Sequence, residues 1–223
     1  MRGAYQVPRS LTAVAEALIS LGGCPTLDAI AGASGLTQSR VRLYLEELAP
    51  SGGVEPLGDG ACVVNKALLV AYAIRLGADP TRLSRHLSWR DFEVLVATAL
   101  SEAGFTVVRG LRLPGKGGME IDVTGAKGRL GVAVDCKRWA YRVSSPSRIT
   151  TAARAQRVRA ERLALKWDEF GLPPVRVIVP ALVVLREDLP RFAEGVAVVP
   201  ALALRGFIEE LDSVVGEVGV RVG

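Results

Sequence analysis

Four charged residues lie at alternating positions of two adjoining segments in the middle of the chain. Glu120 and Asp122 belong to MEIDV, and Asp135 and Lys137 belong to GVAVDCKRW, with TGAKGRL between the segments. The alternating Val, Ile and Leu residues predict two antiparallel strands, on which side chains two residues apart share a face. Carboxylates this close repel one another unless a cation lies among them, and an oxygen-only set suits Mg2+ or Mn2+. The spacing therefore predicts a metal site with a lysine beside it.

The same residues have a second interpretation. Charged side chains are common on the solvent face of strands, so Asp122, Asp135 and Lys137 also fit the outer face of a hairpin. Strand register decides whether Glu120 joins the acidic set or faces solvent. Both interpretations agree that the two segments form a hairpin.

The order of these residues resembles a known signature. Asp122, followed thirteen positions later by Asp135-Cys136-Lys137, resembles the Asp...(Asp/Glu)-x-Lys pattern of the PD-(D/E)XK nuclease superfamily. Upstream, LSWRDFEVLVATALSEAGFTVVRG resembles the first helix and first strand of that superfamily. Downstream, the segment that begins with VRVIVPALVVL resembles the closing strand-helix-strand-helix of its Mrr-like branch. The resemblance runs from about Ser88 to Leu211. Two departures are Ile121 in place of the superfamily's proline and Asp135 where Mrr-like members often have Gln.

The resemblance implies roles for individual residues. Asp122 and Asp135 would be metal ligands, and Lys137 would position or activate the attacking water. The backbone carbonyl of Cys136 would be a further ligand. Glu93 stands where many members carry a helical acidic residue, although its place beside an apolar stripe also fits a solvent-facing position.

The first part of the chain has a different pattern. LDAIAGAS and TQSRVRLYLEELAPS predict two helices joined by a glycine-bearing turn, with Thr37 as the N-cap of the second helix. The two-stranded pattern GGVEPLGDGACVVN follows, and the whole resembles a winged helix, whose third helix commonly enters the DNA major groove. Its candidate DNA contacts are Gln38, Ser39, Arg40 and Arg42. The alternative is a winged helix that binds protein or dimerises, because Glu55 and Asp59 make the wing acidic.

Two other segments contain candidate phosphate contacts. GKGG, which includes Lys116, allows close backbone approach to a phosphate and fits a flexible connection equally well. ITTAARAQRVRAERLALKWDEF predicts a helix with five basic residues, Arg154, Arg157, Arg159, Arg162 and Lys166. Arg154 and Arg157 lie side by side at i, i+3 spacing and are the candidates for DNA contact, with a solvated helix face as the alternative.

Composition narrows the function further. The chain has 28 Lys and Arg against 23 acidic residues and a net charge of +5, which favours a polyanionic partner, although a GC-rich genome produces the same excess of arginine. Cys24, Cys62 and Cys136 have no CxxC spacing, and the chain has one histidine, so we expect neither a zinc site nor a disulfide framework. No apolar run reaches the roughly 18 residues of a membrane span. We expect a soluble cytoplasmic protein.

These observations predict an α/β protein with a restriction-endonuclease-like mixed sheet flanked by helices, preceded by a small, mainly helical winged-helix domain. We place the winged helix at residues 1–80 and the nuclease-like domain at residues 81–223. The resemblance implies a DNA endonuclease of restriction or repair type that depends on Mg2+ or Mn2+. Cutting both strands of a duplex needs two active sites, so we expect a homodimer. The alternatives are a non-catalytic DNA-binding regulator with a nuclease-like scaffold and a resolvase of branched DNA.

Overall fold

The computed structural model describes residues 9–79, 82–83, 85–114, 118–137, 146–185 and 187–223. The chain divides into two compact units, with the boundary between Asp91 and Phe92. The boundary predicted from the sequence, at residue 80, lies earlier. No helix among the residues described is both long and apolar enough to cross a membrane.

The described part of the first unit is mainly helical. Its elements are α1 (Arg9–Leu21), α2 (Leu27–Ser34), α3 (Gln38–Leu48), β1 (Val54–Leu57), β2 (Gly60–Val63) and α4 (Lys66–Arg75). Thr37 caps α3 as predicted, because its side-chain oxygen accepts a hydrogen bond from the Arg40 N–H. β1 and β2 pair antiparallel with Leu57 opposite Gly60, which leaves Gly58 and Asp59 as a two-residue turn.

A disulfide in the first unit corrects one expectation from the sequence. Cys24 and Cys62 are bonded, although they lie 38 residues apart in the chain. Backbone pairing brings them together, since the Ala61 N–H donates to the Pro25 carbonyl at 3.1 Å and the Val63 N–H donates to the Gly23 carbonyl at 2.8 Å. Gly60 allows this approach, because a Cβ there would lie 2.2 Å from the Pro25 carbonyl oxygen. The expectation that the cysteines form no disulfide framework was wrong for this pair, since their spacing gives no sign of the strand alignment.

The second unit is built on a mixed sheet flanked by helices, which confirms the predicted fold class. Its order is β3-β4-β5-β6-β8-β7, and β9 pairs with β6. β4 pairs antiparallel with β3 and with β5, whereas β6 pairs parallel with β5 and with β8. The described elements are α5 (Trp89–Glu102), β3 (Thr106–Leu113), β4 (Met119–Lys127), β5 (Leu130–Lys137), α6 (Pro146–Leu165), β6 (Val177–Val184), β7 (Phe192–Ala193), β8 (Val196–Pro200), α7 (Leu204–Glu209), α8 (Leu211–Val218) and β9 (Val220–Arg221).

Local signals account for the ends of α5. The Ser88 N–H donates to Asp91 Oδ2 at 2.6 Å, and the Asp91 N–H donates back to Ser88 Oγ at 3.3 Å. This reciprocal pair is the capping box that the sequence predicts. Beyond the helix, Gly104 has a φ of +83°, which a glycine adopts at little cost and which ends the helix as predicted.

The strand β6 and the helix α6 form the centre of the second unit. All but the first residue of β6 are buried, as its continuous Val and Ile run predicts. Buried α6 residues recur at helical spacing and face the sheet; they are Ile149, Ala153, Gln156, Ala160, Leu163 and Ala164. The short strand β9 pairs antiparallel with β6, so the C-terminal segment extends this sheet.

Candidate active site

The strands β4 and β5 separate at the position where the two aspartates lie. Their recorded pairing stops at Val123 opposite Val134, one residue before Asp122 and Asp135. On the other side of β4, Gly110 of β3 has a φ of +63° and lies between the pairs that Arg109 and Leu111 form. Glycine adopts this conformation readily, so β3 also loses its regular pairing beside Asp122. Asp122 is therefore at a break in the ladder on both sides.

The side chain of Asp122 occupies the gap between β4 and β5. Its Oδ2 accepts a hydrogen bond of 2.6 Å from the backbone N–H of Cys136. A carboxylate thus takes the place of a strand carbonyl, which holds Asp122 beside β5 and satisfies a backbone donor that the separation would leave unpaired. β5 itself stays in the sheet, because it pairs with β6 through Lys137 opposite Val184.

Asp135 is a buried carboxylate held by two cations. The residue is 3% exposed. Lys137 Nζ lies 2.7 Å from Asp135 Oδ2, and Arg159 Nη1 of α6 lies 3.4 Å from Asp135 Oδ1. Asp135 and Lys137 share a face of β5, as their spacing predicts. The burial of Asp135 argues against the outer face of a hairpin, because an ionised carboxylate out of water needs compensating charge.

The pKa of Asp122 responds to its burial and to the charges around it. Burial raises the pKa of Asp122, and the charge of Asp135 raises it further. The Cys136 N–H, Lys137 and Arg159 act in the opposite direction on the same pKa. A bound cation would relieve the repulsion between the two carboxylates.

Cys136 does not have the properties of a nucleophile. Its thiol is free and buried, and burial raises its pKa. The charges of Asp122, Asp135 and Glu93 raise the pKa of this thiol further. The thiol therefore stays protonated, and only the backbone of Cys136 is available to the site.

The carboxylates of Asp122 and Asp135 are the candidate ligands for a divalent metal. Across the described residues, no three or more His, Cys, Asp or Glu side chains group closely enough to hold a metal ion. Asp122 and Asp135 provide two carboxylates at the strand break. Mg2+ commonly binds through one or two carboxylates, with water and substrate phosphate as its other ligands. The oxygen-only pair is chemically suited to that mode of binding.

One family model matches the middle of the chain. Residues 84–165 match the Mrr_cat family model, described as a restriction endonuclease. This match supports the restriction-endonuclease-like nuclease superfamily for this part of the chain. The matched residues include α5, the hairpin of β4 and β5, and α6. No curated protein matches the chain.

Two solved structures have a distant likeness to the chain. The restriction endonuclease FokI is 14% identical, with a TM-score of 0.41, over 92% of this chain and 44% of FokI. Protein VC1899 from Vibrio cholerae is 14% identical, with a TM-score of 0.32, over 95% of this chain and 57% of that protein. The chain thus spans less than two thirds of either structure. At these TM-scores neither likeness carries weight for function.

The other two acidic candidates of the nuclease-like domain differ in their surroundings. Glu93 of α5 is buried, and its charge acts on the Cys136 thiol. Glu120 lies opposite Arg112 in the register of β3 and β4, and the two form an exposed ion pair with Arg112 Nε 3.2 Å from Glu120 Oε2. The described contacts thus pair Asp135 with Lys137, bond Asp122 to the backbone N–H of Cys136, and leave Glu120 on the solvent side.

Two arginines of α6 that the sequence singled out contact protein groups. Arg154 pairs with Glu194, with Nε 3.1 Å from Oε2. Arg157 donates to the carbonyls of Gly195 at 3.1 Å and Val218 at 2.9 Å, and it pairs with Glu161 at 2.8 Å. These bonds favour a structural role for Arg157 between α6, the turn that joins β7 to β8, and the end of α8. Lys116 lies outside the described residues.

The candidate DNA contacts of the first unit are exposed on the first turns of α3. Gln38 donates to Asp28, Ser39 shares a hydrogen bond with Thr37, and Arg42 donates to the Gly58 carbonyl of the β1–β2 turn at 2.9 Å. Arg40 is also exposed. Arg42 thus ties α3 to the turn, which suits a structural contribution.

Sequence reasoning missed two residues of the site, Gln156 and Arg159. Their spacing of three residues places them side by side on α6. Gln156 Nε2 donates to the Ala133 carbonyl at 2.8 Å, and Arg159 Nη1 lies 3.4 Å from Gln156 Oε1. The signal in the sequence that could have identified Gln156 is a glutamine among the apolar residues that recur at helical spacing in this segment.

Proposed function

We propose that the second unit is a metal-dependent DNA endonuclease whose site is formed by Asp122, Asp135 and Lys137. The observation that carries the proposal is a buried aspartate, held by a lysine, beside a second aspartate at the break between β4 and β5. Buried charge is costly, and perturbed carboxylates gather at functional sites. The superfamily match of the same residues supports this reading.

In this proposal the two aspartates and Lys137 have different roles. Asp122 and Asp135 would hold Mg2+ or Mn2+, with the Cys136 carbonyl as a further ligand. When bound, the metal supplies Lewis-acid polarisation of the phosphodiester and a more acidic water. Lys137, whose side chain is 29% exposed, would hold that water or neutralise charge on the phosphate.

The test joins metal binding to cleavage. Wild type and Lys137→Gln would be titrated with Mn2+ by calorimetry and assayed for nicking of supercoiled plasmid, with EDTA as the metal-free control. We expect both proteins to bind metal and the variant to cut about 10²-fold more slowly, because an acid–base or charge-neutralising group is lost. Asp168→Asn, an exposed carboxylate in the same unit, is the matched surface control.

Other outcomes separate the alternative functions. A wild-type protein that binds DNA but neither binds metal nor cuts would be a regulator on a nuclease-like scaffold. Cleavage of four-way junctions, with plasmid and linear duplex left intact, would identify a junction resolvase. These outcomes would replace the endonuclease proposal.

We further propose that the first unit is a winged helix that contacts DNA through α3, with Gln38, Ser39, Arg40 and Arg42 as its polar surface. Exposed polar groups at the start of a helix after a two-helix turn support this role. We also propose a homodimer, because two sites are needed to cut both strands. Sedimentation with and without duplex DNA tests the dimer, and a monomer in both states would reject it.

A further inference from the structure

Arg159 has contacts that differ from those of its basic neighbours on α6. Arg154 and Arg157 contact the turn at Glu194 and Gly195, whereas Arg159 Nη1 lies 3.4 Å from Asp135 Oδ1. Its side chain is 24% exposed, so the guanidinium is largely shielded from water. An ion pair in such a place is stronger than one on the surface.

The position of Arg159 is set by a chain of bonds that begins in the sheet. Gln156 is fully buried, and its amide N–H donates to the Ala133 carbonyl of β5 at 2.8 Å. That bond directs Gln156 Oε1 towards Arg159 Nη1, at 3.4 Å. Ala133 and Asp135 lie two residues apart on β5 and share a face. The strand that carries the aspartate therefore also orients the arginine that meets it.

We infer that Arg159 is a positioning residue that holds the Asp135 carboxylate in place and occupies one of its oxygens before a metal binds. Lys137 lies 2.7 Å from the other oxygen. A divalent cation would then bind an aspartate that is already neutralised, in competition with side-chain cations. The metal-binding part of this inference rests on the proposed function, whereas the pairing of Arg159 with Asp135 does not.

The pairing is tested by a double-mutant cycle in EDTA, where no metal contributes. Thermal unfolding of the full chain would be measured for wild type, Arg159→Met, Asp135→Asn and the double variant. Met keeps the length and apolar stem of the side chain but removes the charge. We expect Arg159→Met to lower the melting temperature by several degrees in wild type and by less than half as much when Asp135 is Asn, because the partner charge is then absent.

Metal affinity gives a readout that a purely structural role would not produce. We expect Arg159→Met to bind Mn2+ about tenfold more tightly than wild type, since a competing positive charge is gone. Arg159→Lys should return the affinity to near the wild-type value because it restores the charge. Arg162→Met, an exposed arginine on the same helix, should leave Mn2+ affinity unchanged. If Arg159→Met only weakened the packing of α6, the variant protein would bind Mn2+ more weakly than wild type.

The outcomes distinguish this inference from the proposed function. Additive effects of Arg159→Met and Asp135→Asn would overturn the inference, whatever the metal titration gives. Coupling in the cycle with no Mn2+ binding by wild type would support the positioning role and reject metal-dependent cleavage. Coupling together with tighter Mn2+ binding by Arg159→Met would support both.

Discussion

The two units of the chain differ in the kind of polar group that they bury. Among the described residues, the first unit buries the hydroxyls of Thr12 and Ser51, which accept hydrogen bonds from the backbone N–H groups of Asp79 and Gly53. The second unit also buries neutral side chains, Thr124 and Gln156. In addition it buries two carboxylates, Glu93 and Asp135, and Asp135 lies between a lysine and an arginine. A neutral hydroxyl that satisfies a backbone donor stabilises a fold at low cost, whereas a buried charge costs free energy. The costly group marks the unit in which chemistry is expected.

The largest effect is expected from the buried carboxylate itself. Asp135→Asn should reduce metal-dependent plasmid nicking about 10³-fold, because the proposed metal site would lose a charged ligand. The nicking rate at saturating Mn2+ measures this. Glu120→Gln, two residues from Asp122 on β4 but in an exposed ion pair, should stay within about threefold of wild type, a change typical of surface sites. Equal losses for the two variants would contradict the division between buried and exposed carboxylates.

The stability of the first unit should depend on the disulfide between Cys24 and Cys62. Cys24→Ser with Cys62→Ser should lower the unfolding free energy of this unit by about 2–4 kcal/mol, since the disulfide closes a long loop. Denaturant unfolding with and without reductant measures the effect. The same reductant should leave the second unit unchanged, because its described cysteine, Cys136, is free. If the double variant and the reduced wild type unfold like the oxidised protein, the disulfide does not support this unit.

Two glutamines allow a matched comparison between the units. Gln156→Leu should lower the unfolding free energy by about 1–3 kcal/mol, because it leaves the buried Ala133 carbonyl without this donor. Gln38→Leu, at an exposed position of α3, should change it by less than about 0.5 kcal/mol. Chemical denaturation of both variants decides the point. A larger loss of unfolding free energy for Gln38→Leu than for Gln156→Leu would contradict this prediction.

The smallest effect is expected from two arginines that the sequence assigned to the same task. Arg40→Ala should weaken duplex binding and reduce the slope of log affinity against log salt by about one, as the loss of one phosphate contact does. Arg157→Ala should leave that slope unchanged and lower stability instead, because its guanidinium bonds to the carbonyls of Gly195 and Val218. Fluorescence anisotropy at several salt concentrations measures the slopes. A reduced salt slope for Arg157→Ala would instead indicate that Arg157 contacts DNA.

Part of the site was readable from the sequence because it depends on short spacings. Asp135 and Lys137 share a face of β5 for the same reason that any residues two apart on a strand do. The caps at Thr37 and Ser88 follow from hydroxyl residues placed just before helical patterns. These features rely on bonds between residues a few positions apart, which the order of residues specifies directly.

Only the tertiary structure decided which distant groups meet. Five basic residues of α6 look alike in sequence, and the packing of the helix against the sheet selects Arg159 for Asp135 and Arg157 for backbone carbonyls. The pairing of Cys24 with Cys62 likewise depends on the alignment of a loop with β2. The physical reason is that rotating a helix by one residue changes the direction of a side chain by about 100°. Local spacing determines which residues share a face, whereas the packed core determines what that face contacts.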